Sequence, residues 1–451
     1  MKQYEEYKSS DIKWLDLIPK HWKILPLYAL ATEKSICDCV ELPLLSVFLD
    51  VGVIPFSQKS EKRTNATSKD LSKYQRVDPG DFILNNQQAW RGSVGVSFDT
   101  GIVSPAYIVL RMDNTLVSKY ANYLFRSGVM VNQYLINSKG VGSIQRNLYW
   151  TSLKRVRVPI PPREEQDQIV RYLDWKVSEI NKLIVVKKKE IALLEEQRQW
   201  VINNAVTHGI VNAELKESGI YWLGNIPKNW EVIKIKWLFN EAEERNNDGN
   251  AVLLTFSRKK GLIPFSEASD KEPSAADLSN YKLVSPGQLL ENRMQAWSGM
   301  FICVDKNGCV SPDYSVFNPT KDRYVNVKFY EYVFRNPLQV SQFANASRGV
   351  GDGFNRLYTP AFGAIYTVYP PAEEQDAIVA YLDALNEKYT AAKGVLEQEI
   401  AKYQELKNKI ISDVVTGQLD VRGVEIPDFD YVEDISDDEP FEETENSEEE
   451  E

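Results

Sequence analysis

Two long stretches of the chain repeat apolar residues at spacings of three, four or seven. One runs through Ile169, Leu173, Val177, Ile180, Ile184, Ile191, Leu194 and Val201. The other runs through Ile378, Leu382, Leu385, Tyr389, Leu396, Ile400, Tyr403, Leu406, Ile410 and Val414. This spacing predicts helices, and neither stretch contains proline. Pro161-Pro162 and Pro370-Pro371 stand just before them, where proline is tolerated. Glu164, Glu165, Glu373 and Glu374 then place negative charge where the helix dipole favours it, and Gly209 and Gly417 are natural stops. Each predicted helix has roughly 43 residues, or about 65 Å. A stripe repeating near 3.5 predicts burial in a coiled coil. The other choice, packing each helix on its own globular domain, fits poorly because such a rod outreaches a domain of about 150 residues. Elsewhere the pattern is short and β-rich, as in Val156–Pro162 and Thr367–Pro371, with turns at Pro79-Gly80 and Pro286-Gly287. Short helical patterns intervene at Lys119–Ser127 and Lys328–Asn336.

The chain is written twice. WLDLIPKHWKI (Trp14–Ile24) returns as WLGNIPKNWEV (Trp222–Val232), and Asp70–Gly92 returns as Asp277–Gly299. GVGSIQRNLY (Gly140–Tyr149) returns as GVGDGFNRLY (Gly349–Tyr358), and PPREEQDQIVRYLD (Pro161–Asp174) as PPAEEQDAIVAYLD (Pro370–Asp383). The offset stays between 207 and 209 residues, so one unit of about 208 residues is duplicated. The repeat also wraps around, since KSSDIKWL (Lys8–Leu15) resembles KESGIYWL (Lys216–Leu223). The expected fold class is α+β: two homologous α/β domains joined by two long antiparallel coiled-coil helices about a pseudo-two-fold. The expected boundaries are a first domain over 1–160, a helix over 161–209, a second domain over 210–369, a second helix over 370–418 and an acidic tail over 419–451.

Charge refines the picture only at the end of the chain. The net charge is −11, but Glu425 to Glu451 hold 15 carboxylates and no Lys or Arg; without them residues 1–424 carry +4. Such a tail is expected not to fold, either as a solubilising end or as a decoy competing with nucleic acid. No apolar run approaches the length of a membrane span, and MKQYEEYKSS has no apolar leader, so a cytoplasmic location is expected. Four cysteines in 451 residues make no disulfide framework, and two histidines leave little room for a histidine-based triad or zinc site.

Catalytic constellations are missing. The sequence has no G-x-x-x-x-G-K-[ST] phosphate loop, no H-E-x-x-H and no Cys-x-x-Cys. Gly349–Phe354 superficially resembles a nucleotide loop, but its counterpart Gly140–Gln145 keeps two of the three glycines. Asn/Asp-Pro-Pro-Tyr, the adenine-flipping signature of N6-methyltransferases, does not occur; SPAY (Ser104–Tyr107) and SPDY (Ser311–Tyr314) come nearest. The expectation is a protein that is not an enzyme and holds no metal or cofactor.

What remains is a bivalent reader. Asn85–Gly92 and Glu291–Gly299 are dense in Asn, Gln and Arg, the side chains that hydrogen-bond base edges. Asn85, Asn86, Gln88, Arg91, Gln145 and Arg146 are the candidates in the first half. Asn292, Arg293, Gln295, Asn355 and Arg356 are those in the second. Lys59, Arg63, Lys259 and Lys260 are candidates for phosphate contacts, which position a protein without reading sequence. The competing reading is that these loops hydrogen-bond within their own turns. Residues identical between halves, such as Trp90/Trp297 and Gly92/Gly299, are read as scaffold; Asn86/Arg293 and Arg91/Ser298, polar but different, are read as candidates for distinct bases. Lys187-Lys188-Lys189 reads as a solvated coiled-coil face or as a contact for DNA or an acidic partner.

With its paired domain-opening motifs WLDLIPKHW and WLGNIPKNW and helix-opening motifs PPREEQDQIVRYLD and PPAEEQDAIVAYLD, the chain resembles the specificity subunit of type I DNA restriction–modification systems. The likeness covers residues 8 to about 422. It implies a non-catalytic subunit that reads a bipartite, asymmetric sequence in double-stranded DNA, one half-site per target-recognition domain. It implies that the helix pair acts as a ruler and as a platform for two modification subunits, which carry S-adenosylmethionine and methylate adenine. Two restriction subunits would add ATP- and magnesium-dependent translocation and cleavage. Two other readings stand beside it: a duplicated coiled-coil scaffold that binds protein without DNA, and the recognition part of a single-chain restriction–modification enzyme, which would need a methyltransferase motif on the same chain.

Overall fold

A computed structural model describes residues 2–49, 51–58, 70–141, 145–258, 260–268, 277–349 and 355–433. Candidates Lys59, Arg63 and Lys259 lie outside the described residues, as do the side chain of Gln145 and the tail from 434 onward. The chain divides into two units, Met1–Glu190 with Val395–Glu451, and Ile191–Gly394.

In the first unit a four-stranded antiparallel sheet is ordered Ala31–Glu33, Tyr107–Met112, Asp81–Asn85, Val94–Val96. Its central strand is apolar on both sides because both faces are covered. Phe82 and Leu84 join the main core with the helices Ser118–Arg126 and Gly128–Asn137, and Ile83 joins a second core with Val47, Val53, Val77, Val103 and Val109. The second unit repeats the order with Phe239–Ala242, Tyr314–Pro319, Leu289–Asn292 and Phe301–Cys303. There Leu289 and Phe301 face the helices Val327–Arg335 and Pro337–Ala346, while Leu290 faces the smaller core. In each unit the strand that enters the domain pairs antiparallel with the one that leaves it. Lys23–Pro26 pairs with Arg157–Ile160, and Glu231–Lys234 with Tyr366–Tyr369.

Each leaving strand runs straight into a long helix, Arg163–His208 of 46 residues and Ala372–Val415 of 44. The duplicated motifs meet at the helix starts. In the first unit Glu165 accepts the Trp22 indole N–H (3.1 Å), pairs with His21 Nε2 (2.7 Å) and accepts the Tyr4 hydroxyl. In the second unit Glu374 accepts from Trp230 Nε1 (2.7 Å) and from the Asn229 amide. The next residue, buried Gln166, accepts Val117 N–H (2.8 Å) and donates to the carbonyls of Thr115 and Pro161. Gln375 repeats these bonds with Asn326, Tyr324 and Pro370. About two turns further, Asp174 holds Lys119 and Tyr123, and Asp383 holds Lys328 and Tyr332. The repeated EEQD…YLD sequence is therefore the strip on which each domain is fastened to its helix.

The helices pack antiparallel within each unit. In the first, Lys407 Nζ donates to Asn181 Oδ1 (3.4 Å) and Lys187 pairs with Glu399 (3.1 Å), so partner numbers fall as the first helix rises. In the second, Arg198 Nε donates to Asn386 Oδ1 (2.7 Å) and the guanidinium lies over the Tyr389 ring. Ile169, Leu173, Val177, Ile180 and Ile184 of the predicted stripe are buried, whereas Ile191, Leu194 and Val201 are half-exposed; near its end the first helix buries Ile202, Ala205 and Val206 instead. Gly417 ends the second helix at φ +73° against Trp22 and Pro19, where a side chain would collide.

The part of the expected tail that lies among the described residues is packed rather than unfolded. Residues 418–433 are packed: Val421 is buried, and Leu419, Val424 and Ile426 lie on the first unit's core. The acidic composition concealed these apolar residues, which bury enough surface to order the segment.

Candidate nucleic-acid interface

The amide-rich loop is shaped the same way in both units. Asn85 Oδ1 accepts Gln87 N–H (3.1 Å), Trp90 Nε1 donates to Gln87 O (2.9 Å), and a 3₁₀ turn, Ala89–Arg91, ends at Gly92 with φ +107°. In the second unit Asn292 Oδ1 accepts Met294 N–H (3.2 Å), Trp297 Nε1 donates to Met294 O (2.9 Å), and Ala296–Ser298 ends at Gly299 with φ +79°. Beside each loop lies a hairpin. Ser138–Val141 pairs with Gln145–Leu148, and Arg348–Gly349 pairs with Asn355–Arg356. The join is a backbone bond: Leu148 N–H donates to Asn86 O (2.8 Å), and Leu357 N–H to Arg293 O (3.2 Å). Loop and hairpin thus form one continuous polar face per domain.

The candidate residues divide by what they do there. Asn85 and Asn292 use their side-chain carbonyls to shape the loop. Arg293 turns inward: its Nε donates to Ser315 Oγ (2.9 Å), and the guanidinium lies 3.8 Å from Glu241. Its counterpart Asn86 is half-buried, with Oδ1 unpartnered among the described residues. Gln88, Arg91, Arg146, Gln295, Asn355 and Lys260 are exposed. The Arg91 guanidinium lies 4.7 Å from the Trp90 ring centre, which holds a flexible cation in place at the surface. Arg356 is half-exposed and pairs with Asp313 (3.3 Å), and Arg258 donates to Ser298.

Identity between the two halves had marked the loop tryptophans as scaffold. Their indole N–H groups serve that role, but Trp297 remains 42% exposed, with Tyr149 and Tyr358 exposed at the hairpin ends. An aromatic kept in both copies at an exposed loop is a signal for a stacking surface. Sequence reading also missed Glu291, which stands where the first domain has Leu84. It is fully buried, both carboxylate oxygens lack partners among the described residues, and burial pushes its pKa up to about 8. Among the described residues no group of His, Cys, Asp and Glu could hold a metal ion, and no helix is long and apolar enough to cross a membrane.

These features define a duplicated chain of two loop-and-hairpin domains, each fastened to a long helix. The family model for the type I restriction modification DNA specificity domain matches residues 34–199. A putative type I restriction enzyme MjaX specificity subunit from Methanocaldococcus jannaschii is 25% identical over 447 residues, covering 92% of this chain and 98% of that protein. The EcoKI specificity subunit of Escherichia coli K12 is 22% identical over 366 residues, 76% of each chain. A solved structure, described as the basis of assembly and conformational transition of a type I R-M system, superposes with a TM-score of 0.60 at 17% identity, covering 89% of this chain and 99% of that one. It shows the same fold. Along most of its length the chain is thus similar to specificity subunits of type I restriction–modification systems, and its fold is that of the solved type I structure.

Proposed function

We propose that this chain supplies DNA sequence specificity to a type I restriction–modification assembly, each domain reading one half of a bipartite target in double-stranded DNA. The observation that carries the reading is the twin polar face, in which an amide- and aromatic-bearing loop is bonded to a hairpin, repeated once per domain on the same helix-fastening strip. Gln88, Arg91 and Arg146 in the first domain, and Gln295, Asn355 and Lys260 in the second, are the side chains offered to bases and phosphates. Asn85, Asn292 and Arg293 act by holding the loop. The chain itself performs no bond-making. S-adenosylmethionine would sit on two modification subunits docked along the helices, and ATP and magnesium on two restriction subunits, in the cytoplasm. The paired helices set the unread gap between half-sites.

The test is to map methylated adenines in DNA from a host expressing this chain with its cognate modification subunit. A split motif is expected, and exchanging Trp14–Val158 for another such domain should change one half of it. Methylation without sequence preference would overturn the reading. The scaffold alternative differs in predicting no salt-dependent DNA binding.

A further inference from the structure

On the first long helix Gln168, Tyr172, Trp175, Ser178 and Asn181 follow at spacings of three or four and form one stripe. The segment after the second helix lies along it. Gln168 Nε2 donates to the carbonyls of Val421 (3.0 Å) and Val424 (2.9 Å). Further along, Ser178 Oγ donates to Asp430 O (2.9 Å) and accepts Val432 N–H (2.8 Å), and Asn181 Nδ2 donates to Val432 O (3.0 Å). Tyr172, between these anchor points, is 3% exposed. The duplicate stripe on the second helix is Ala377, Tyr381, Ala384, Glu387 and Thr390, and every one of these residues is exposed. Tyr172 and Tyr381 are the same position of the repeat, yet Tyr381 is 45% exposed. One copy of the face is covered and the other is open.

The two faces also differ in the charges beside them. Arg171, Lys176 and Lys182 flank the first stripe, and the segment brings Glu425, Asp428, Asp430 and Glu433. At the corresponding places the second helix has Ala380, Leu385 and Ala391, and Lys388 is the cation that stands beside its stripe.

We propose that residues 418–433 are a built-in cap on one of two duplicate docking faces, so that the two modification subunits engage this chain unequally. The open face on the second helix fills first; the face on the first helix fills only when the outer part of the cap, from residue 427, lifts away. Val421 and its apolar neighbours anchor the inner part, whereas residues 427, 428, 430, 431 and 433 are exposed. This inference rests on the helices being the platform for modification subunits.

Titrating the full-length chain with its cognate modification subunit, by calorimetry and native mass spectrometry, tests it. Two binding steps are expected, separated by at least about tenfold in Kd. Tyr381→Arg should remove the tighter step and spare the weaker. The double variant Tyr431→Ala/Val432→Pro, which loses the Val432 N–H donor, should bring the steps within about threefold. Deleting residues 427–451, which keeps the Val421 anchor, should do the same. Two equal steps in the full-length chain, or a ratio unchanged in both cap variants, would overturn the cap. Absence of any binding would overturn the platform reading beneath it.

Discussion

Glu165 and Glu374 hold the same place in the repeat but differ in setting. Glu165 is 5% exposed with Tyr4, His21 and Trp22 around it, whereas Glu374 is half-exposed with two partners. Removing a buried acceptor strands its donors at about 1–3 kcal/mol each. Glu165→Ala should therefore destabilise its unit by about 3 kcal/mol and Glu374→Ala by less, as read by urea denaturation. Glu291 carries the opposite sign. Its pKa is raised to about 8 in the fold, against an ordinary carboxylate when unfolded. Its contribution is fully present below the unfolded value and is lost as pH rises towards 8. Glu291→Leu, which copies Leu84 of the first domain, should thus stabilise the second unit more at pH 8 than at pH 5, by about 3 kcal/mol. Equal gains at both pH values would show that the carboxyl is already satisfied. In the recognition loops, Arg91→Ala should relax one half-site by about 1–3 kcal/mol. Arg293→Ala should instead lower the stability of the second unit, because its guanidinium is spent on Ser315 and Glu241.

At the scale of elements, the helices were legible because a 3.5-residue stripe, flanking prolines and terminal glycines all agree. The periodicity could not say which stretch of the stripe meets a partner, and hence Val201 gives way to Ile202 at the core. The duplicated motifs were legible as important, but their meaning was not. Trp22 and Glu165 are 143 residues apart, and their bond appears only once the domain closes on itself. The candidate loops were legible as chemistry and illegible as roles. Whether an arginine reads bases or braces a strand is decided by distant residues such as Ser315, 22 positions from Arg293. Four residues inserted in register into one long helix, about 6 Å, should lengthen the unread gap by one or two base pairs. Methylation mapping would read this, and an unchanged gap would remove the ruler role.

For the whole molecule, the duplication and the wrap-around sequence likeness have a structural counterpart. The first unit needs both ends of the chain: Tyr120 donates its hydroxyl to Val415 O, Lys2 pairs with Asp420 in a β-bridge, and Gly417 seats against Trp22. The second unit is drawn from one continuous stretch, Ile191–Gly394. Deleting residues 418–451 should therefore lower the melting temperature of the first unit and leave the second nearly unchanged. Hydrogen exchange resolved by segment would separate the two.

This arrangement reverses the usual order of birth. Domains commonly complete themselves from the N-terminus as synthesis proceeds. Here the first unit must wait for Val395–Val415 and the residues beyond, while the second unit already has all its parts. On the ribosome, the first half to be made is the last to be finished, and a message cut short near its end would yield a chain with one sound half.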